Sequence, residues 1–115
     1  MVYKIHEITG EFATDAENGQ ALYDLIYPEL RAENSVKLDF SGVNVFASAF
    51  FNFAIGQLLS DITQDELNRL LQVENLNDDG RFTLKRSIDN AKEYYSDAGY
   101  RKAVDSVIEE YAASF

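Results

Sequence analysis

Apolar and polar positions alternate along this chain with two different periods. Val2–Ile8 alternates weakly, with Val2, Lys4 and His6 against Tyr3, Ile5 and Glu7. That period of two predicts a first strand, closed by Gly10. Thr14-Asp15-Ala16-Glu17 has the capping-box form, a hydroxyl followed three residues later by a carboxylate. It opens a predicted helix whose apolar stripe is Leu22, Leu25, Ile26 and Leu30. Pro28 lies inside the stripe, and its ring lacks an N–H and crowds the preceding turn. The helix is expected to kink or end there, before a break at Asn34-Ser35.

Ser35–Phe40 is the second predicted strand: Val36, Leu38 and Phe40 alternate with Lys37 and Asp39, so one face is the more accessible. Ser41-Gly42 has turn chemistry. Val43–Phe46 reads as more strand or as a buried loop. Ser48–Ile62 carries Phe51, Ile55, Leu58 and Ile62 at helical spacing, and Phe50, Phe53, Ala54 and Leu59 widen the stripe. A helix so apolar must be mostly buried. Asp65–Arg69 is a short helical turn, Leu70–Leu76 a third strand and Asn77–Gly80 a loop. A further helix follows on Leu84, Ile88, Ala91 and Tyr95. Ser96–Gly99 breaks it, and a last helix carries Tyr100, Val104, Val107, Ile108 and Tyr111. Strands alternating with helices predict an α/β layer, helices packed on a largely parallel sheet with one face covered and the other partly open.

Composition narrows the chemistry. At 115 residues, 46% of them apolar, the chain is expected to form one domain, 1–115, with a real core. It has no cysteine and one histidine, which excludes disulfides, thiol catalysis and thiolate or His-rich metal sites. The start of the chain has charges where a signal peptide needs an apolar run, and no stretch is long enough to span a bilayer. A cytoplasmic protein is the expectation. The net charge of −10 repels nucleic-acid phosphate. Cations concentrate only in Arg81, Lys85, Arg86, Lys92, Arg101 and Lys102. That stretch is read either as a solvated helix face, with Lys85 paired to Asp89, or as a docking site for an acidic partner or a phosphate.

The run Leu38-Asp39-Phe40-Ser41-Gly42-Val43, followed by Phe46-Ala47-Ser48-Ala49-Phe50 and by Gly56-Gln57-Leu58-Leu59, resembles the STAS superfamily of sulphate-transporter and anti-sigma-factor-antagonist domains. It is nearest to a short bacterial STAS-like family of unknown function. Asn75 fits that pattern too, and the resemblance extends roughly from Tyr3 to Tyr95. It implies a small mixed sheet with helices on one face. It also implies a partner. In the antagonists a GHKL-type ATPase phosphorylates a serine at the start of the helix after the second motif strand, where free N–H groups favour the added phosphate. Those proteins read Asp-Ser-Ser-Gly at that point, whereas this chain reads Ala47-Ser48-Ala49-Phe50. Ala49 takes the place of the phosphorylated serine. Either the switch is absent and the binding surface constitutive, or Ser48 substitutes one residue earlier.

Each candidate has a plainer use. Ser48 suits an N-cap. Asp39 suits a loop cap at the strand end, and His6 a strand surface. Tyr94, Tyr95 and Tyr100 suit partial burial, although tyrosines also anchor interfaces. Adjacent carboxylates such as Asp78-Asp79 have no surroundings that would split their pKa values, and no nucleotide-binding or nucleophile motif is present. The leading expectation is therefore a non-enzymatic regulatory module without a cofactor. It binds a protein partner, a GHKL-type ATPase by resemblance, through the 39–52 loop and helix start, with Asp39, Ser48, Phe50 and Asn52 as contacts. The competing expectation is a small-ligand binder or enzyme with a crevice near Asp39 and Asn75. The third is self-association through an open sheet edge.

Overall fold

The computed structural model describes residues 1–96; the expected break at Ser96–Gly99, the last helix and Tyr100 lie beyond the described residues, apart from the backbone of Ser96. Three strands, β1 (Val2–Lys4), β3 (Val36–Asp39) and β5 (Leu71–Glu74), form a sheet in the order β1-β3-β5, with both pairings parallel. The register sets Tyr3 beside Leu38 and Leu38 beside Val73, and Val36 beside Leu71. These side chains share one face and pack into the core. The opposite face carries Val2, Lys4, Lys37, Asp39, Gln72 and Glu74, none of them buried, with Lys37 and Glu74 paired at 3.3 Å. The α/β fold, its parallel sheet and its helix-covered apolar face agree with the expectation.

A second, two-stranded parallel sheet joins β2 (Phe12–Ala13) to β4 (Val45–Phe46). The sequence pattern does not reveal it, because two residues carry no period. Ala13 is buried, while Phe12 and its register partner Val45 are 56% and 43% exposed.

The first strand is shorter than expected. It stops at Lys4, and a single helical turn, α1 (His6–Thr9), replaces its second half. Ile5 causes the change: its N–H still donates to the Asp39 carbonyl at 2.9 Å, but its own carbonyl accepts from Ile8 and Thr9. His6 therefore sits on this turn, exposed, and not on a strand.

The long helix α2 (Ala16–Arg31) starts one residue later than the capping box suggests. Asp15 is its N-cap and accepts from the Asn18 N–H at 2.7 Å. The helix runs past Pro28 to Arg31, because a proline so close to the end removes a single backbone bond. Leu22, Ile26 and Leu30 are buried, but Leu25 is 47% exposed and leaves the stripe. The Tyr27 hydroxyl donates to Asp61 and ties α2 to the far end of the next helical segment.

That segment is not one helix. An α-helix, α3 (Ser48–Ala54), gives way at Ile55 to a 3-10 helix over Gly56–Ser60. The break falls where α5 (Asp78–Ser96) passes closest: a Cβ on Gly56 would stand 3.5 Å from that of Ala91. Between them α4 (Gln64–Leu70) is capped by Thr63, whose hydroxyl accepts from the Glu66 N–H. The Asn77 side chain accepts from Gly80 N–H at 2.8 Å, so α5 begins inside the expected loop. Asp89 pairs with Lys92 at 3.7 Å and not with Lys85. The core is aromatic at its centre: the rings of Phe40, Phe46 and Phe51 lie 5.7–6.0 Å apart. Phe50 meets Phe51 edge-on at 5.3 Å.

Candidate functional site

Two constellations arise where the sequence expectations placed them. The first is at the C-terminal ends of β3 and β5. The Asp39 Oδ1 accepts from Asn75 Nδ2 at 2.9 Å, from the Ser41 N–H at 3.0 Å and from the Ser41 hydroxyl at 2.7 Å. The backbone makes this convergence. Gly42, at φ 83°, completes the turn that returns the Val43 N–H to the Phe40 carbonyl, and few residues but glycine take that φ freely. Asn75, at φ 60°, turns the chain out of β5 and aims its amide at Asp39. Asparagine tolerates this left-handed conformation better than most residues.

Three donors on one carboxylate favour its charged form. The Asn75 amide first, then the Ser41 N–H and hydroxyl, hold Asp39 at about 2, below the ordinary carboxylate value. Because the folded pKa is the lower one, the contribution to stability is present above the unfolded value and lost as pH falls through about 2. Asn75→Ala removes the first donor. The expected result is a higher Asp39 pKa, read from its side-chain carboxyl carbon by NMR titration, and an acid unfolding transition that begins at higher pH. An unmoved Asp39 titration in that variant would contradict the assignment.

The arrangement locks the ends of β3 and β5 together. One oxygen of Asp39 is taken up by Asn75 and Ser41 together. Asp39 borders an open depression with Lys4, His6, Glu7, Ser41 and Gly42, while Asn75 borders a separate groove beside α5. Among the described residues no group of three or more His, Asp and Glu side chains could hold a metal ion, and no helix is long and apolar enough to cross a membrane.

The second constellation is the start of α3. Ser48 is the first residue of the helix and is exposed, as is Ala49. The N-cap is Ala47, which makes no side-chain cap, so the N-cap expectation for Ser48 does not hold. The Ala47 N–H donates to the Ala13 carbonyl at 3.1 Å, which pins the helix start to the small sheet. Asn52 is exposed one turn further on. Phe50 is fully buried in the core, and its backbone lies against Gly19 of α2. Phe53 is the ring that reaches solvent, 42% exposed. Seven residues, five of them apolar and spread around every side, cannot reveal which phenylalanine points inward. Sequence reasoning also missed Phe12. Nothing in its local pattern shows that a neighbour 33 residues away, Val45, completes an exposed apolar pair.

A family model described as a STAS-like domain of unknown function (DUF4325) matches residues 18–81, more than half of the chain. No curated protein and no solved structure gives a significant match.

Proposed function

This chain belongs to the STAS-like family DUF4325, and on that premise we propose that it is a regulatory module that binds another protein at the start of α3. One observation supports this reading above the others. Exposed apolar side chains, Phe12 and Val45, stand side by side on a small sheet hydrogen-bonded directly to the residue before Ser48. A rigid platform with exposed apolar side chains and a hydroxyl beside it suits a protein partner better than a small ligand. Ser48 and Asn52 supply polar contacts at its margin. Asp39 acts from a distance, by fixing the turn that leads into β4.

The partner we propose, from the resemblance, is a GHKL-type ATPase. Ala49 stands at the antagonists' phosphoserine position, so binding here is constitutive. The test mixes the full chain with such an ATPase from the same cell and ATP, then follows complex formation by gel filtration and phosphate by intact-mass spectrometry. A complex without added phosphate is the expected result. Stoichiometric phosphate on Ser48 would restore the switch, and no complex with any ATPase of this class would remove the partner assignment.

A further inference from the structure

A groove runs along the β5 edge of the sheet, on the helix-covered face, between β5 and α5. Its floor is apolar, formed by Val73, Leu76, Leu84 and Ile88, and its volume is about 420 Å³. A smaller extension of about 120 Å³ continues past Leu67 and Leu71. One wall is α5, which presents Arg81, Lys85 and Lys92 along the groove against one carboxylate, Asp89. Arg81 has a loose pairing with Asp78 at 3.9 Å, and Lys92 is paired with Asp89. Among the described residues Lys85 has no ion-pair partner. In a chain of net charge −10, this is a local reversal of sign.

The other wall is an unpaired strand edge. β5 is the last strand of its sheet among the described residues. The Glu74 carbonyl accepts from Phe40 N–H at 3.0 Å, so Glu74 and Gln72 direct their backbone groups at β3. Strand geometry then turns the N–H and C=O of Val73, and the C=O of Leu71, outward to the groove. The Leu71 N–H is already used by Leu67. Such an edge is a template for another extended chain.

We propose that this groove binds an extended acidic peptide, which adds to β5 as a strand. The Val73 backbone supplies the pairing. On the face of the peptide turned toward α5, apolar side chains enter the floor and carboxylates of that same face meet Lys85 and the flanking Arg81 and Lys92. This mode takes affinity from main-chain hydrogen bonds and specificity from pockets and charge. The groove shares no lining residue with the α3 surface.

The test titrates the ¹⁵N-labelled full chain with an acetylated hexapeptide that carries valine and glutamate in turn at every second position, with serine between. The Val73 amide is expected to shift and to gain exchange protection, with affinity falling as salt is raised. Lys85→Glu, at an exposed position that does not threaten folding, is expected to weaken binding by at least about tenfold. The peptide is also made in the two alternate N-methylation patterns, one of which blocks the edge facing β5 and is expected to abolish binding. Val45→Asp leaves the titration unchanged, which separates this site from the α3 surface. Equal binding by both N-methylated peptides, equal binding when the peptide's glutamates are replaced by lysine, or a silent Val73 amide would overturn the proposal.

Discussion

Gly19→Ala is expected to destabilise this protein, although glycine-to-alanine in a helix ordinarily stabilises by about 1 kcal/mol. Gly19 lies in the first turns of α2, where α3 crosses it. A Cβ there would press on the Phe50 carbonyl oxygen and stand 3.0 Å from the Phe53 Cβ. The obstacle is backbone, which cannot rotate aside as a flexible side chain would. Relief requires α2 and α3 to move apart, which loosens the packing of Leu22, Phe50 and Phe51. Overpacking of this kind costs about 1–3 kcal/mol. For a domain of this size each kcal/mol lowers the melting temperature by roughly 4–8 °C. Thermal unfolding followed by circular dichroism checks it, and Gly19→Val should fall further. A melting temperature equal to or above that of the parent would mean that the helices do not meet at Gly19. The consequence reaches the site, since α3 carries Ser48 and α2 is what holds it in place.

How much of this was legible in the sequence depended on length and on phase. The four-residue strand β3 alternates cleanly, and both Val36–Leu38 burial and Asp39 at its end follow from the pattern. α2 and α5 are long enough for a stripe to declare itself, although Leu25 escaped it. Short or evenly apolar pieces were not legible. β2 and β4 have two residues each, and their pairing is set by the fold and not by local preference. Ile5 could not be seen to end a strand, because its carbonyl is recruited by a turn that β-propensity does not register. The break at Gly56 answers to the approach of α5 from 31 residues away at Ser87. At the candidate site, the family resemblance drew attention to Asp39, Ser48 and Asn75, while their uses came from geometry. Asp39 and Asn75 meet across the ends of two neighbouring strands through one hydrogen bond. Phe50, singled out as a contact, is buried in the core, whereas Val45 and Phe12 are the exposed apolar side chains beside the start of α3.

Val45→Asp carries the second large effect. Val45 is 43% exposed and sits beside Phe12 at the platform proposed to meet the partner. A carboxylate there does not enter the core, so the fold should lose no more than about 1 kcal/mol, the span of strand propensities. Binding should suffer far more, because a charge buried at an apolar contact must be stripped of water without a counter-ion. Truncating or charging a central contact commonly costs about 2 kcal/mol or more, over tenfold in affinity. Leu25→Asp is the control: equally apolar and 47% exposed, but on a part of α2 that borders β1 and α1. The decisive measurement is calorimetric titration of the full chain and these two variants into the GHKL-type ATPase. The account predicts that Val45→Asp loses binding by over tenfold with its melting curve nearly intact, while Leu25→Asp binds as the parent does. Unchanged affinity in Val45→Asp, or equal loss in both variants, would contradict it.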